Sequence, residues 1–116
     1  MLIRIDPASS APLFEQLAAS VRQQVLAGAA QPGDRLPAAR ELAVSLEVNV
    51  HTVLHAYQEL RDEGLVELRR GRGAVLTDRA SAVAGLAEHV TALVAEARRL
   101  GVTPQTLTTL ITEEYR

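Results

Sequence analysis

Three helical patterns precede two short β-prone runs in this chain, and few folds accommodate that order. Apolar residues at every fourth position predict an amphipathic helix over 13–27, Pro37 suits the first position of a second helix, and a third helix is expected over 50–63. The β-prone runs 66–69 and 74–77 flank a Gly-rich turn, which is typical of a hairpin. Two short helices joined by a tight turn and followed by a hairpin predict a winged helix-turn-helix, a mainly α fold with a small β-hairpin.

The residues after Asp78 are richer in Ala, Leu and Val and predict two more helices, one over 81–100 and one beginning at Thr103-Pro104. We therefore expect a winged helix-turn-helix domain over 1–78 and a helical segment over 79–116. Two helices cannot enclose a ligand pocket of roughly 300–1,000 Å³, so the residues identify no small-molecule effector. The apolar stripe of these helices needs a cover, and a second copy of the chain is the expected one, with packing on the chain's own winged helix as the alternative. The predicted dimer contacts are Val83, Leu86, Val90, Leu93, Val94, Leu107, Leu110 and Ile111.

Composition excludes several other classes of protein. The chain has no Cys, which removes disulfides, thiolate zinc sites and a Cys nucleophile. No apolar run approaches the roughly 18 residues of a membrane span and no signal-like leader opens the chain, so we expect a cytoplasmic protein without membrane contact. No nucleotide-binding loop or catalytic motif is present, and we expect neither an enzyme nor a cofactor. The net charge is −2, so any phosphate contact depends on local clusters of arginine.

The third predicted helix has one apolar and one polar face. The polar face carries His51, Thr52, His55, Gln58 and Glu59. The opposite face carries Val50, Val53, Tyr57 and Leu60, with Leu54 beside them. In a winged helix-turn-helix this polar face enters the major groove of DNA, N-terminus first. The N-cap residue Asn49, together with His51, Thr52 and His55, is short enough to read base edges there.

Arginines fall where phosphate contacts are expected. Arg35 precedes the second helix, Arg40 lies in its first turn, and Arg69, Arg70 and Arg72 lie in the hairpin. Gly71 and Gly73 remove side chains from that turn, so its backbone can approach a narrow groove. The residues predicted to contact DNA are Arg35, Arg40, Asn49, His51, Thr52, His55, Tyr57, Arg70, Gly71, Arg72 and Gly73.

Two alternatives remain open for the polar face. His51 and His55 have the i, i+4 spacing of a helical metal pair, but no third ligand accompanies them, so we expect no metal site. A metal sensor would bind DNA in a manner that zinc or a chelator changes. A protein-interaction winged helix would instead present this face to another protein and would not bind a specific DNA sequence.

Several stretches in the first two-thirds of the chain, in order and at matching spacing, resemble the GntR family of transcription regulators. They are Pro12-Leu13-Phe14-Glu15-Gln16-Leu17, Pro32-Gly33-Asp34-Arg35-Leu36-Pro37, Arg40-Glu41-Leu42-Ala43, Asn49, Thr52-Val53, Ala56-Tyr57-Gln58-Glu59-Leu60, Glu63-Gly64-Leu65-Val66 and Gly71-Arg72-Gly73. Asn49 with Ala56-Tyr57, and the short tail, are similar to the YtrA subfamily. The resemblance implies a bacterial, dimeric repressor of a palindromic operator, with the helix 50–63 in the major groove and the wing 70–73 at the minor groove. Ala38 stands where the family usually has Ser, so a phosphate-binding hydroxyl is missing.

Overall fold

Six helices and one antiparallel pair of strands form the chain in this computed structural model, which describes all of residues 1–116. Contacts divide it into two compact units, residues 1–85 and residues 86–116. None of the helices has the length and apolar character needed to cross a membrane. The elements are α1 (Leu13–Leu26), α2 (Ala39–Leu46), α3 (Val50–Asp62), β1 (Val66–Arg69), β2 (Gly73–Leu76), α4 (Arg79–Ala84), α5 (Leu86–Leu100) and α6 (Pro104–Glu114).

The core of the first unit is aliphatic and lies between α1, α2 and α3, which confirms the predicted winged helix-turn-helix. Every fourth residue of α1 from Leu17 to Val25 is buried, as its apolar spacing requires. Asn49 caps α3, where its side-chain Oδ1 accepts a hydrogen bond from the His51 backbone N–H at 2.8 Å. The turn between α2 and α3 places Glu47 in the left-handed region, at φ 57°, which lets the two helices change direction within a few residues.

The wing is a hairpin of β1 and β2 in which Val66 pairs with Leu76 and Arg69 with Gly73. Gly73 therefore belongs to β2, one residue earlier than the sequence predicts. The segment 33–36 forms a short third edge, because the Leu36 N–H donates to the Ala74 carbonyl at 2.9 Å and the Leu76 N–H donates to the Asp34 carbonyl at 2.8 Å. This edge fixes the base of the wing against the segment that leads into α2.

The expected single helix over 81–100 is wrong, and the contacts divide the chain seven residues later than the boundary expected after Asp78. The structure ends α4 at Ala84 and begins α5 at Leu86, so the first unit extends to Gly85. Helix α4 packs against α1, with Ala80 1% exposed. Val83 is half-buried against the same core, and its role as a dimer contact remains a prediction.

The second unit consists of α5, a turn at Gly101, and α6. Thr103 caps α6, where its Oγ1 accepts from the Thr106 N–H at 3.2 Å. Ala97 is the one buried residue of α5, and α6 has none. Large apolar side chains are therefore exposed over this unit when the chain is alone, and they are Leu86, Val90, Leu93, Leu100, Leu110 and Ile111.

Candidate nucleic-acid interface

The outward side of α3 is a continuous stripe of exposed residues. His51, Leu54, His55 and Gln58 recur at i, i+3, i+4 and i+7, the spacing of a single helical face, and all four are exposed. We call these four residues the recognition stripe. On the other side of α3, Val53, Ala56, Tyr57 and Leu60 are buried in the core. The core therefore fixes which face of α3 is presented outward.

The sequence identified only half of the recognition stripe as site residues. Leu54 and Gln58 were not among the predicted DNA contacts. Their positions three and seven residues after His51 are the sequence signal that places them on the same helical face. Leu54 is 40% exposed, and it is the one apolar member of the stripe. Thr52 is half-buried at the edge of this face, and Asn49 uses its side-chain oxygen to cap the helix.

The His55 ring is held toward α1. It stacks on Phe14 with ring centroids 3.9 Å apart and an interplanar angle of 17°. Its Nε2 lies 3.7 Å from a carboxylate oxygen of Glu59, which follows one turn later on α3. No group of three or more His, Cys, Asp or Glu side chains lies close enough together to hold a metal ion. These contacts leave His51 and Gln58 as the least constrained polar members of the stripe.

Tyr57 does not lie on the outward face, and its predicted contact with DNA is wrong. The side chain is 4% exposed. Its hydroxyl donates a hydrogen bond to the Pro37 carbonyl at 2.6 Å, and burial raises the pKa of this phenol. Tyr57 therefore connects α3 to the residue that leads into α2, and it acts as a positioning residue in the core.

Four of the five arginines expected to lie near phosphates make no salt bridge with an acidic side chain. They are Arg35, Arg40, Arg70 and Arg72, all exposed. The neighbouring Arg69, by contrast, donates to the Glu67 carboxylate at 2.9 Å. An exposed arginine without an acidic partner keeps its full positive charge available for a phosphate.

The turn of the wing depends on glycine and on Arg35. Gly71 and Gly73 adopt φ values of +78° and +74°, a left-handed conformation that other residues rarely tolerate, and nothing crowds either position. The Arg35 Nε donates to the Arg72 carbonyl at 3.2 Å. The structure thus brings Arg35 and Arg72 together, with the backbone of Arg72 anchored and its side chain free.

Helix α3, the start of α2 and the wing meet at one open cavity of about 330 Å³. Helix α2 begins without a side-chain cap, because its N-cap residue is Ala38. Its first backbone N–H groups therefore have no side-chain acceptor at the positive end of the helix dipole, and Glu41 in the first turn supplies the nearby negative charge. The residues lining the cavity are Pro37, Ala38, Ala39, Leu54, Tyr57, Leu68, Arg69, Arg70, Gly73 and Ala74.

Known regulators resemble the chain over the part that holds these elements. Residues 13–76 match the family described as bacterial regulatory proteins, gntR family. The HTH-type transcriptional repressor YtrA of Bacillus subtilis is 44% identical over 79 residues, 68% of this chain and 61% of that protein. The HTH-type transcriptional regulator Rv1152 of Mycobacterium tuberculosis is 40% identical over 101 residues, 87% of this chain and 84% of that protein. Among solved structures, YtrA from Sulfolobus acidocaldarius, a GntR-family transcription factor, matches with a TM-score of 0.60 and 39% identity over 66% of this chain and 81% of that one.

The matched range 13–76 contains α1, α2, α3 and both strands of the wing. The relatives are transcription regulators, which confirms the expectation of a regulator and not an enzyme. The alignment spans less than two-thirds of the Bacillus repressor, at 61% of its length. The winged helix-turn-helix fold and the family match over residues 13–76, more than half of the chain, together establish that this chain belongs to the GntR family of bacterial regulatory proteins.

Proposed function

We propose that the chain is a homodimeric transcriptional repressor that binds a palindromic operator, with α3 in the major groove and the wing 70–73 at the minor groove. The recognition stripe of α3 carries this proposal, because it is exposed and is bordered by unpaired arginines of α2 and the wing. The similarity to a protein described as a transcriptional repressor supports the direction of regulation.

The major groove of B-DNA is wide enough for an α-helix, and its base edges offer donors and acceptors to short polar side chains. His51 and Gln58 extend from the outward face of α3 and are the principal candidates for these contacts. Asn49 and Thr52 lie at the N-terminal end of the helix, which leads into the groove in this fold. Arg40 would contact the phosphates that flank the groove.

The wing supplies the second contact. A narrow minor groove has an enhanced negative potential, which attracts an inserted arginine. Arg72 has no acidic partner. The glycines on either side carry no side chains that would keep the wing backbone away from the groove. Arg35 anchors the carbonyl of Arg72, so the arginine is presented from a defined position.

A second copy of the chain is the proposed cover for the exposed apolar residues of α5 and α6. A unit as small as residues 86–116 buries too little surface to be stable alone, and chains below about 40 residues usually need a partner, a metal or a disulfide. An apolar groove of about 390 Å³ lies within this unit, lined by Leu93, Leu107, Leu110, Ile111, Glu114 and Tyr115. A two-fold dimer would match a palindromic site with two half-sites.

Fluorescence anisotropy with labelled DNA from the region upstream of the gene tests the proposal. We expect binding at least about a thousandfold tighter than to a scrambled fragment, with an affinity that falls steeply as salt rises. Arg72→Ala should weaken binding by about 1–3 kcal/mol. The matched control is Arg98→Ala, which removes an exposed arginine of α5 outside the interface. Absence of specific retention at low salt would reject the regulator and favour the protein-interaction alternative.

Sedimentation equilibrium tests the dimer separately. Ile111→Glu places a charge among the exposed apolar residues of α6 and should shift the chain to monomer. Thr108→Glu adds the same charge at an exposed polar position of the same helix and should leave the dimer intact. A wild-type chain that is monomeric at micromolar concentration would reject this part of the proposal.

A further inference from the structure

Leu54 is an exposed leucine in the middle of an otherwise polar recognition stripe. It is 40% exposed, whereas the apolar residues on the core side of α3 are buried. Leu54 is not part of the buried core of the first unit. The feature therefore calls for an external apolar partner on the surface that carries the base-reading side chains.

The surroundings of Leu54 are also apolar. It lines the open cavity of about 330 Å³ between α3, the start of α2 and the wing, together with Leu68 of β1, which is 45% exposed. Arg70, which has no acidic partner, lies at this cavity beside Arg69, which is paired with Glu67, and no acidic side chain lines the cavity. An occupant must therefore combine an apolar group with negative charge nearby.

DNA meets both conditions at one base. Thymine carries a C5-methyl group in the major groove, beside the anionic backbone, and apolar side chains recognise this methyl group. Leu54 lies three residues after His51 and four before Gln58, which places the three side chains about 5–6 Å apart along the helix. Base pairs repeat every ~3.4 Å, so the three side chains address neighbouring positions of one half-site.

We propose that Leu54 is a specificity-determining residue that reads the C5-methyl group of a thymine in each half-site of the operator. This inference rests on the proposed function, because it requires α3 to enter the major groove. It also accounts for a base-reading face on which no arginine is present to select guanine.

Replacement of single thymines by deoxyuridine tests the proposal, since the substitution removes only the methyl group. The probe is the upstream fragment that the chain retains specifically, with each thymine replaced in turn. At one position per half-site we expect the wild-type affinity to fall about fourfold, the effect of one buried methyl group. Leu54→Ala should bind the thymine probe more weakly and should bind the thymine and deoxyuridine probes equally.

The control variant is Leu2→Ala, the same change at an exposed residue of the N-terminal arm, and it should keep the full sensitivity to deoxyuridine. Circular dichroism checks that both variants fold. If no deoxyuridine substitution weakens the wild type, or if Leu54→Ala keeps the wild-type sensitivity, Leu54 does not read thymine. Specific binding would persist in those two cases, whereas its complete absence would reject the proposed function itself.

Discussion

Removal of the Tyr57 hydroxyl separates a core role from a DNA contact. Tyr57→Phe keeps the aromatic ring, which is 4% exposed, and deletes the donor that bonds the Pro37 carbonyl at 2.6 Å. We expect the variant to be less stable and to bind DNA as the wild type does. The reason is that the side chain is buried and its hydroxyl is used by the Pro37 carbonyl, at the junction between α3 and the start of α2.

The magnitude follows from the geometry of this hydrogen bond. A hydrogen bond within a protein contributes about 0.5–1.5 kcal/mol net, and a buried acceptor left without a donor costs about 1–3 kcal/mol. Pro37 is half-buried, so water partly replaces the lost donor. We therefore expect the free energy of unfolding to fall by about 1–2 kcal/mol. For a unit the size of residues 1–85, this lowers Tm by roughly 5–10 °C.

Thermal unfolding followed by circular dichroism measures the stability, and fluorescence anisotropy at 20 °C measures the affinity for DNA. Tyr115→Phe is the matched control, because Tyr115 is 89% exposed and its hydroxyl makes no hydrogen bond within the chain. It should change the free energy of unfolding by less than about 0.5 kcal/mol. An unchanged Tm for Tyr57→Phe, together with a tenfold loss of DNA affinity, would refute the assignment of Tyr57 to the core.

Three further outcomes are expected. Burial raises the pKa of Tyr57, so the wild type should lose stability as the pH rises above about 10, the pKa of an unfolded tyrosine. Tyr57→Phe should lose less stability over the same pH range, and equal losses in alkaline urea titrations would contradict this. Because Arg35 bonds the Arg72 carbonyl, the affinity losses of Arg35→Ala and Arg72→Ala should not add in a double-mutant cycle, and additive losses would indicate that Arg35 acts on DNA alone. Leu60→Ala, at a fully buried position of α3, should lower the free energy of unfolding by about 2–5 kcal/mol in urea, and a loss below 1 kcal/mol would contradict the described core.

Helices α1 and α3 could be predicted from the sequence to within one residue, whereas α2 begins at Ala39, two residues after the expected Pro37. Apolar residues at every fourth position define α1, and Gly28 and Gly64 adopt the positive φ values that follow α1 and α3. Each of these signals is local, so no knowledge of the rest of the chain is needed. The winged helix-turn-helix followed from the order of these elements.

The break between α4 and α5 could not be predicted in the same way. Gly85 has a helical φ of −64°, and the Ala-rich pattern continues on both sides of it. Helix α4 ends there because Ala80 and Val83 pack against the core of the first unit. The short edge formed by 33–36 was missed for the same reason, since its partner β2 lies about forty residues later in the sequence. Contacts between distant segments decide both features.

The positions of Leu54 and Tyr57 show the same limit within the interface. The two residues are three apart on α3, which separates their side chains by only about 60° around the helix axis, and Tyr57 continues the apolar spacing of Val53 and Leu60 while Leu54 lies beside it. The Pro37 carbonyl determines which of the two is buried, because it accepts a hydrogen bond from the Tyr57 hydroxyl and so satisfies this polar group in the core. Leu54 is then left at the outward edge of the helix. Because α2 packs against α3, this edge of the helix presents an apolar side chain to DNA in the proposed complex, and not a tyrosine hydroxyl.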